Sequence, residues 1–153
     1  MALEHDIRIL SGVALFGDLT GDQLRLLAFG AETQRLRPDE VLYREGEVAD
    51  CAYVVVAGLV ELSRRHEGNG AQASVGTAQA GALLSELALI AATNRSTDAV
   101  AAGDVEVMAV PRKLFRRILE EYPEVAAALH SRLAKRFQAL VRGIETMAPR
   151  FED

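Results

Sequence analysis

The chain has 153 residues, a formal net charge of −5 and a single cysteine, and half of its residues are apolar. This length and composition predict one globular domain with a substantial core and exclude a second domain of typical size. The acidic balance disfavours a nucleic-acid binder that relies on a bulk basic field. An anionic ligand must therefore be held by a local site.

Two stretches of the sequence bear on location. The first residues carry Glu4 and Asp6 where a secretory signal needs a basic stretch followed by a long apolar one. The longest nearly continuous apolar run, Ala52–Val60, is about half as long as a membrane-spanning helix requires. We therefore expect a cytoplasmic protein with no membrane partner.

The sequence offers little for metal or covalent chemistry. Cys51 stands alone, and His5, His66 and His130 have no ligand spacing, so we expect neither an intrachain disulfide nor a metal site. There is no Gly-x-Ser-x-Gly elbow, no Walker-type glycine loop and no histidine at motif spacing from a nucleophile. We therefore expect no catalytic residue, no cofactor and no enzyme activity.

The first 30 residues are predicted to be helical. Leu3–Leu10 is amphipathic, and Thr20 with Gln23 fits a capping box in which Thr20 is the N-cap. From about Thr33 the apolar period changes to two and turn residues recur, which predicts short strands. These strands are Thr33–Arg37, Glu40–Arg44, Tyr53–Ala57, Leu59–Arg65, Ala71–Ala80, Thr97–Ala101 and Val105–Val110.

The connections between these elements are also predicted. Glu67–Gly70 reads as a hairpin tip, since Asn-Gly accepts positive φ angles, and the last two strands are expected to pair around Ala102–Asp104. A helical turn is expected near Glu86–Ala91. After Leu114–Tyr122, Pro123 ends one helix and begins a longer amphipathic one.

The predicted fold class is α+β: a small antiparallel β-roll, jelly-roll-like, of about eight strands, flanked by N-terminal helices and two C-terminal helices. We expect one domain over residues 1–145. It comprises helical entry at 1–30, the roll at 31–110 with a functional segment at 81–97, C-terminal helices at 111–147 and a tail at 148–153.

The functional segment combines donors for a phosphate with an acceptor for a hydroxyl. A one-turn helix start is expected to leave free N–H groups near Leu87 and Ala88, which favour an anion. Arg95 and Ser96 add a guanidinium fork and a hydroxyl, the donors that a phosphate diester needs. Glu86 is unsuited to phosphate but accepts from a sugar hydroxyl. The combination predicts a ligand that carries both groups.

Here the sequence resembles the cyclic-nucleotide-binding domain family. The family's phosphate-binding cassette reads Gly-Glu-Leu-Ala-Leu-Ile, four loosely specified residues, then Arg and a small residue. This chain reads Ser85-Glu86-Leu87-Ala88-Leu89-Ile90 and then Arg95-Ser96. The resemblance extends from about Leu15 to Leu140. It is carried outside the cassette by Leu15-Phe16, Leu24, Pro38, Glu40-Val41-Leu42, Arg44-Glu45-Gly46-Glu47, Asp50, Tyr53, Gly58, Leu114–Leu119 and Pro123.

The resemblance implies roles for the cassette residues. Arg95 is expected to pair with the exocyclic phosphate oxygens, to which Ser96 and the Ala88 N–H also donate. Glu86 is expected to accept from the ribose 2′-hydroxyl. The remaining ligand-binding candidates are Ser85 and Leu87 in the cassette, Leu84 and Val75 as an apolar wall beneath the base, and a residue between Leu133 and Ile144 that covers it. Cyclic AMP is the default ligand, and the Ser96 hydroxyl keeps cyclic GMP open.

Three departures from the family pattern bear on binding. Ser85 stands where the family has a glycine whose backbone bends tightly beside the ribose, and Asp39 replaces a turn glycine. Thr97-Asp98 replaces a small apolar pair, and strand alternation predicts that Asp98 faces solvent, opposite Arg95. A plainer interpretation of Glu86 and Arg95 is a partly buried ion pair that holds the cassette to the strand.

Two functions remain open from the sequence. The first is a stand-alone cytoplasmic sensor that binds a cyclic mononucleotide and passes a signal to an unknown downstream protein by moving its C-terminal helices. The second is a degenerate form of the same fold that acts as a protein-interaction adaptor without nucleotide. The basic residues of the last helix are interpreted as a solvated face, so direct nucleic-acid binding is not expected. The apolar stripe from Val125 is expected to be covered by the roll or by a second copy in a homodimer.

Overall fold

The computed structural model describes residues 2–65, 70–132 and 134–135. Its helices are α1 (Ala2–Ser11), α2 (Gly21–Gly30), α3 (Arg112–Glu121) and α4 (residues 123–132 and 134–135), with 3-10 helices at Ala14–Phe16 and Glu86–Leu89. The predicted capping box is confirmed: the Gln23 amide donates to Thr20 Oγ1 at 3.2 Å, and the Thr20 amide donates to Gln23 Oε1 at 2.9 Å. Within the described ranges, every helix is too short or too polar to cross a bilayer.

Ten short strands form the middle of the described chain. They are β1 (Glu32–Leu36), β2 (Val41–Tyr43), β3 (Val48–Ala49), β4 (Cys51–Ala57), β5 (Val60–Arg65), β6 (Gln72–Ala78), β7 (Leu83–Leu84), β8 (Thr93–Asn94), β9 (Asp98–Ala101) and β10 (Val105–Pro111). All pairings are antiparallel, in the orders β1-β10-β4-β7, β2-β9-β5-β6 and β3-β8. The predicted α+β class, a β-roll flanked by helices, is confirmed, and β3, β7 and β8 are additions to it.

Strand β4 is buried on both faces and separates two cores. Its even-numbered side chains, Ala52, Val54 and Val56, pack against the helices. Its odd-numbered side chains, Cys51, Tyr53 and Val55, point into the roll between the two large sheets. The first part of the long apolar run in the sequence, residues 52–56, is therefore a strand with no solvent face, because alternate residues of a strand point to opposite sides and both sides are covered.

The helix core joins the two ends of the chain. Phe16 and Phe115 meet with ring centroids 5.9 Å apart, and both are almost fully buried. Val125 and Leu129 of α4 are buried in the same cluster, so the roll and helices of one chain cover the start of the apolar stripe. A homodimer through the later part of the last helix stays a prediction. That part, the positions expected to cover a base and the 148–153 tail lie almost wholly outside the described residues, as does most of the predicted hairpin tip.

The expected pairing of the strands around Ala102–Asp104 is wrong. Strand β9 pairs with β2 and β5, whereas β10 pairs with β1 and β4, so the chain passes from one sheet to the other at this turn. A second crossing, at Gly58 between β4 and β5, lies directly against the first. The Ala102 amide donates to the Leu59 carbonyl at 2.9 Å, and a Cβ on Gly58 would come within 2.3 Å of the Asp104 carbonyl oxygen.

This corner predicts a large difference between two glycine substitutions. Gly58 and Gly46 have nearly the same φ, +89° and +90°, but a Cβ on Gly46 would meet nothing within 4 Å. Gly46→Ala should therefore lower the free energy of unfolding by roughly 1 kcal/mol from backbone strain. Gly58→Ala should cost about 3 kcal/mol or more, since the clash with backbone atoms adds to the strain. Urea denaturation of both variants measures this, and equal losses would contradict the corner geometry.

Candidate functional site

The cassette, residues 81–97, includes a residue in an unusual backbone conformation. Ser85 has φ 62° and ψ 47°, in the left-handed region, and it immediately precedes the 3-10 helix Glu86–Leu89. A serine pays a steric cost there that glycine avoids. Asp39, which also stands at a glycine position of the resembling family, has φ 69°. Both positions therefore adopt the left-handed backbone conformation for which the family that the sequence resembles uses glycine.

Strand and core contacts fix the first half of the cassette, residues 81–89. The Gly81 amide donates to the Val55 carbonyl at 2.8 Å, and the Val55 amide donates to the Ala82 carbonyl at 3.0 Å. Leu84 is buried opposite Tyr53 in the inner core, the apolar cluster between the two large sheets. Leu89 is buried in the helix core. The cassette thus has one side chain in each of the two cores.

The turn between these anchors differs from expectation in one respect. The Ala88 N–H donates to the Ser85 carbonyl at 2.9 Å, so the expectation that this amide is free is wrong. The tight 3-10 turn takes the donor internally, because its hydrogen bonds close after three residues. Glu86 is partly buried at the start of this turn, and the Leu87 side chain is 58% exposed.

Arg95 is buried inside the roll and has only 5% of its surface exposed. Its Nη1 donates to the Cys51 carbonyl at 2.8 Å, and its Nη2 lies 3.5 Å from Cys51 Sγ. Its Cζ lies over the rings of Tyr43 and Tyr53, at 4.6 and 5.1 Å from their centroids. Cys51, Tyr43 and Tyr53 were not recognised as site residues in the sequence, although the inward alternation of β4 places Cys51 and Tyr53 on one side.

The Arg95 charge has no carboxylate partner among the described residues. The ion pairs in those ranges join Arg35 to Glu106, Arg44 to Asp98 and Arg132 to Asp18. The plainer interpretation, in which Glu86 and Arg95 form an ion pair that holds the cassette, is therefore not what this structure shows. A guanidinium has five N–H donors, and two are used on Cys51, so three have no partner among the described residues and could serve an anion.

Asp98 is fully buried, so the expectation that it faces solvent is wrong. Its carboxylate accepts from the Glu45 amide at 2.7 Å, from Arg44 Nη1 at 3.2 Å and from the Gln72 side-chain amide. The Glu45 amide, supported by Arg44, lowers the pKa of the Asp98 carboxyl. Alternation did place it opposite Arg95, but that side is filled by the 44–47 turn and β6.

The same 44–47 turn holds the Arg95 backbone. The Arg95 amide donates to the Glu47 carbonyl at 2.7 Å, and the Gly46 amide donates to the Arg95 carbonyl at 2.8 Å. The Asp98 carboxylate thus binds the turn at the Glu45 amide, and the Arg95 backbone binds it at Gly46 and Glu47. Asp98 therefore helps to position Arg95 and does not compete for its guanidinium.

Ser96 and Val75 are exposed to solvent. Ser96 is exposed, and its carbonyl accepts from Arg64 Nε at 3.2 Å. Val75 is 52% exposed and occupies a bulge, because the register passes from Leu62 opposite Gly76 to Ser63 opposite Ser74. The roles that the resemblance implied for both side chains stay predictions.

Comparison with known proteins decides the family. The cyclic nucleotide-binding domain family matches residues 33–122, more than half of the chain. The chain belongs to the cyclic nucleotide-binding domain family. A solved cyclic nucleotide-binding-like protein from Brucella abortus is 51% identical, with a TM-score of 0.68, and the match covers 75% of this chain and 97% of that one.

Two curated relatives are longer than this domain. The cyclic AMP receptor protein of Thermus thermophilus is 30% identical over 84% of this chain and 59% of its own length. The lysophospholipase NTE1 of Chaetomium globosum is 27% identical over 78% of this chain, but the match covers 8% of that protein. The chain therefore corresponds to a part of each, and the family is one of regulatory binding domains.

Arg112 is a residue of this cyclic nucleotide-binding domain that sequence reasoning missed. Its amide donates to the Asp50 carbonyl at 2.9 Å, and its Nη1 donates to the carbonyls of Ala49, Ala91 and Ala88 at 3.2, 3.0 and 3.4 Å. It is the first residue of α3. It therefore ties the start of that helix to the middle of the cassette, a contact that no local sequence pattern predicts.

The domain shows no metal chemistry in its described residues. No group of three or more His, Cys, Asp or Glu side chains lies close enough there to hold a metal ion. The groups that contact the Arg95 guanidinium in these residues are the Cys51 carbonyl and sulfur and the rings of Tyr43 and Tyr53.

The Asp98 contacts predict a dependence on pH. Because the pKa of Asp98 is lowered in the folded state, the carboxylate stabilises the fold above the ordinary aspartate value of about 3.9 and loses this contribution as the pH falls through the folded-state value. Asp98→Asn should lower the free energy of unfolding by about 1 to 3 kcal/mol at pH 7 and flatten the acid limb. Urea denaturation between about pH 3 and 7 tests this, and parallel curves for the two proteins would contradict it.

The Ser85 conformation predicts a stabilising substitution. Ser85→Gly should raise the free energy of unfolding by roughly 1 kcal/mol, because glycine adopts φ 62° without steric cost. Ser74→Gly, in strand β6, is the matched control and should lower it by about 0.5 to 1 kcal/mol. Thermal denaturation measures both. A lower melting temperature for Ser85→Gly would show that the serine side chain is needed.

Proposed function

We propose that this domain binds a cyclic mononucleotide, cyclic AMP or cyclic GMP, and that Arg95 binds its phosphate. The observation that carries the proposal is the buried Arg95 guanidinium, which has three N–H donors left and no carboxylate partner among the described residues. A buried cation is costly unless an anion accompanies it. A phosphate diester supplies that charge and matches the guanidinium fork.

The other cassette residues fit the rest of such a ligand. Glu86 has a carboxylate at the start of the turn and would accept from the ribose 2′-hydroxyl. Ser96 would donate to the phosphate, and the Ala88 amide would do so if its bond to Ser85 were shared. Leu84 and Val75 would line the base. Cyclic AMP is the first candidate because the Thermus thermophilus relative is a cyclic AMP receptor protein.

We further propose that the domain is a sensor whose C-terminal helices carry the signal. The cassette is joined to α3 through Arg112 and to the helix core through Leu89. A nucleotide that favours one arrangement of the cassette would therefore shift these helices, in proportion to its difference in affinity for the two states. The receiver would be a downstream protein of unknown identity or a second copy of this chain.

A second candidate function is an adaptor that keeps the fold without the ligand. The Ser85 side chain, placed where the family has glycine, and the Ala88 amide, used inside the turn, favour it. Both features lie where the ribose and phosphate of the proposed ligand would bind. The two functions therefore differ in a single measurable property, nucleotide affinity.

Calorimetric titration with cyclic AMP and cyclic GMP tests the proposal. The wild-type protein should bind one of them with a dissociation constant in about the micromolar range, and Arg95→Met should weaken binding about 100-fold through loss of the charge-assisted hydrogen bonds. Glu86→Gln should weaken it about tenfold. Arg35→Met removes an exposed arginine paired with Glu106 and should leave affinity unchanged.

Two results would contradict this assignment. Equal heats for wild type and Arg95→Met would remove Arg95 from the site. Absence of heat, and of any rise in melting temperature at millimolar nucleotide, would favour the adaptor, because a ligand that binds only the folded state must stabilise it. Recovery of binding in Ser85→Gly would then identify the serine as the cause.

A further inference from the structure

Two tyrosines from opposite sheets meet beneath the Arg95 guanidinium. Tyr43 ends β2 and Tyr53 lies in β4, and their rings stack with centroids 5.9 Å apart and an interplanar angle of 22°. Both residues are more than nine-tenths buried. The Arg95 Cζ is 4.6 Å from the centre of the Tyr43 ring and 5.1 Å from that of Tyr53.

Aromatic rings act on a guanidinium differently from a carboxylate. A carboxylate would neutralise the charge and occupy the N–H fork, which would leave little for an anionic ligand. A ring attracts the cation through its face and is not a conventional hydrogen-bond acceptor. The two tyrosines therefore compensate part of the cost of burying Arg95 while its remaining donors stay available.

The Tyr53 hydroxyl remains neutral in this environment. Burial raises the pKa of Tyr53 well above the ordinary tyrosine value, and the neighbouring Cys51 raises it further. A phenolate beside Arg95 would act as an internal anion and compete with a phosphate. The protonated ring attracts the cation without such competition.

We propose that Tyr43 and Tyr53 form an aromatic platform that holds the Arg95 guanidinium in place for the phosphate, so that both are positioning residues for the ligand. This inference rests on the proposed nucleotide binding and extends it to two residues outside the cassette. The Cys51 carbonyl fixes Nη1, and the platform fixes the guanidinium between the sheets. Removal of a ring would let Arg95 take other positions, and affinity falls with the fraction of molecules that are ready to bind.

The experiment compares ring removal with ring retention. Tyr43→Leu and Tyr53→Leu should each weaken binding of the preferred cyclic nucleotide by about tenfold. Tyr43→Phe and Tyr53→Phe keep the ring and should stay within about twofold of wild type. Phe29→Leu is the matched control, because it removes an exposed ring near the end of α2 that has no part in the proposed site. It should leave both the affinity and the melting temperature nearly unchanged.

A second series remains informative if the leucine variants do not fold. Phenylalanines with increasing fluorination at position 43 keep the shape of the ring while they weaken the attraction of its face for a cation. Affinity should fall stepwise along the series, whereas a ring that only fills space would give constant affinity.

The outcomes separate this inference from the proposed function. If wild type binds nucleotide and the ringless and fluorinated variants bind equally well, the platform is overturned and the Arg95 site stands. If wild type binds neither nucleotide, the proposed function fails and this inference falls with it. Retention of binding in the phenylalanine variants with loss in the leucine and fluorinated variants supports both.

Discussion

A guanidinium taken out of water loses hydration energy that charged groups, polar groups or aromatic faces must replace. Here the partners are the Cys51 carbonyl and the faces of two tyrosines. They come from β2 and β4, so the two large sheets must approach each other at the point where Arg95 enters the roll. The 44–47 turn, held by Asp98 and by the Arg95 backbone, sets that point. The inner core is thus organised around a charge, although its lining is mostly apolar.

The two cores perform separate tasks because β4 and β10 present alternate residues to each. The inner core positions Arg95, while the helix core packs the helices against the opposite face of the sheet that contains β4 and β10. The cassette belongs to both, through Leu84 on one side and Leu89 on the other. A change at the proposed ligand site would therefore have a short physical route to the helices, with no need for a long chain of intermediate contacts.

Local patterns in the sequence predicted the structural features that depend on residues close together in the chain. The Thr20 capping box, a helix over Leu114–Tyr122 and a strand over Tyr53–Ala57 were predicted from local patterns alone, and the cassette was located by its resemblance to a family. Strands of two residues, such as β3 and β8, carry no periodicity to detect. The crossing near Asp104 was mistaken for a hairpin because sequence neighbours usually pair. The burial of Asp98 and the carbonyl contacts of Arg112 depend on segments that are distant in sequence, and local sequence patterns do not show which distant segments meet.

Arg112 also has a consequence for how the domain opens. Its guanidinium donates to carbonyls on β3 and in the middle of the cassette, and its own backbone begins α3. Segments that share such hydrogen bonds and a common core exchange their amide hydrogens as one cooperative unit. The cassette and the first turn of α3 are therefore expected to open together, at one free energy, although about 20 residues of sequence separate them. In this domain the loop that would meet the ligand and the helix that would report it are the same unit of local unfolding.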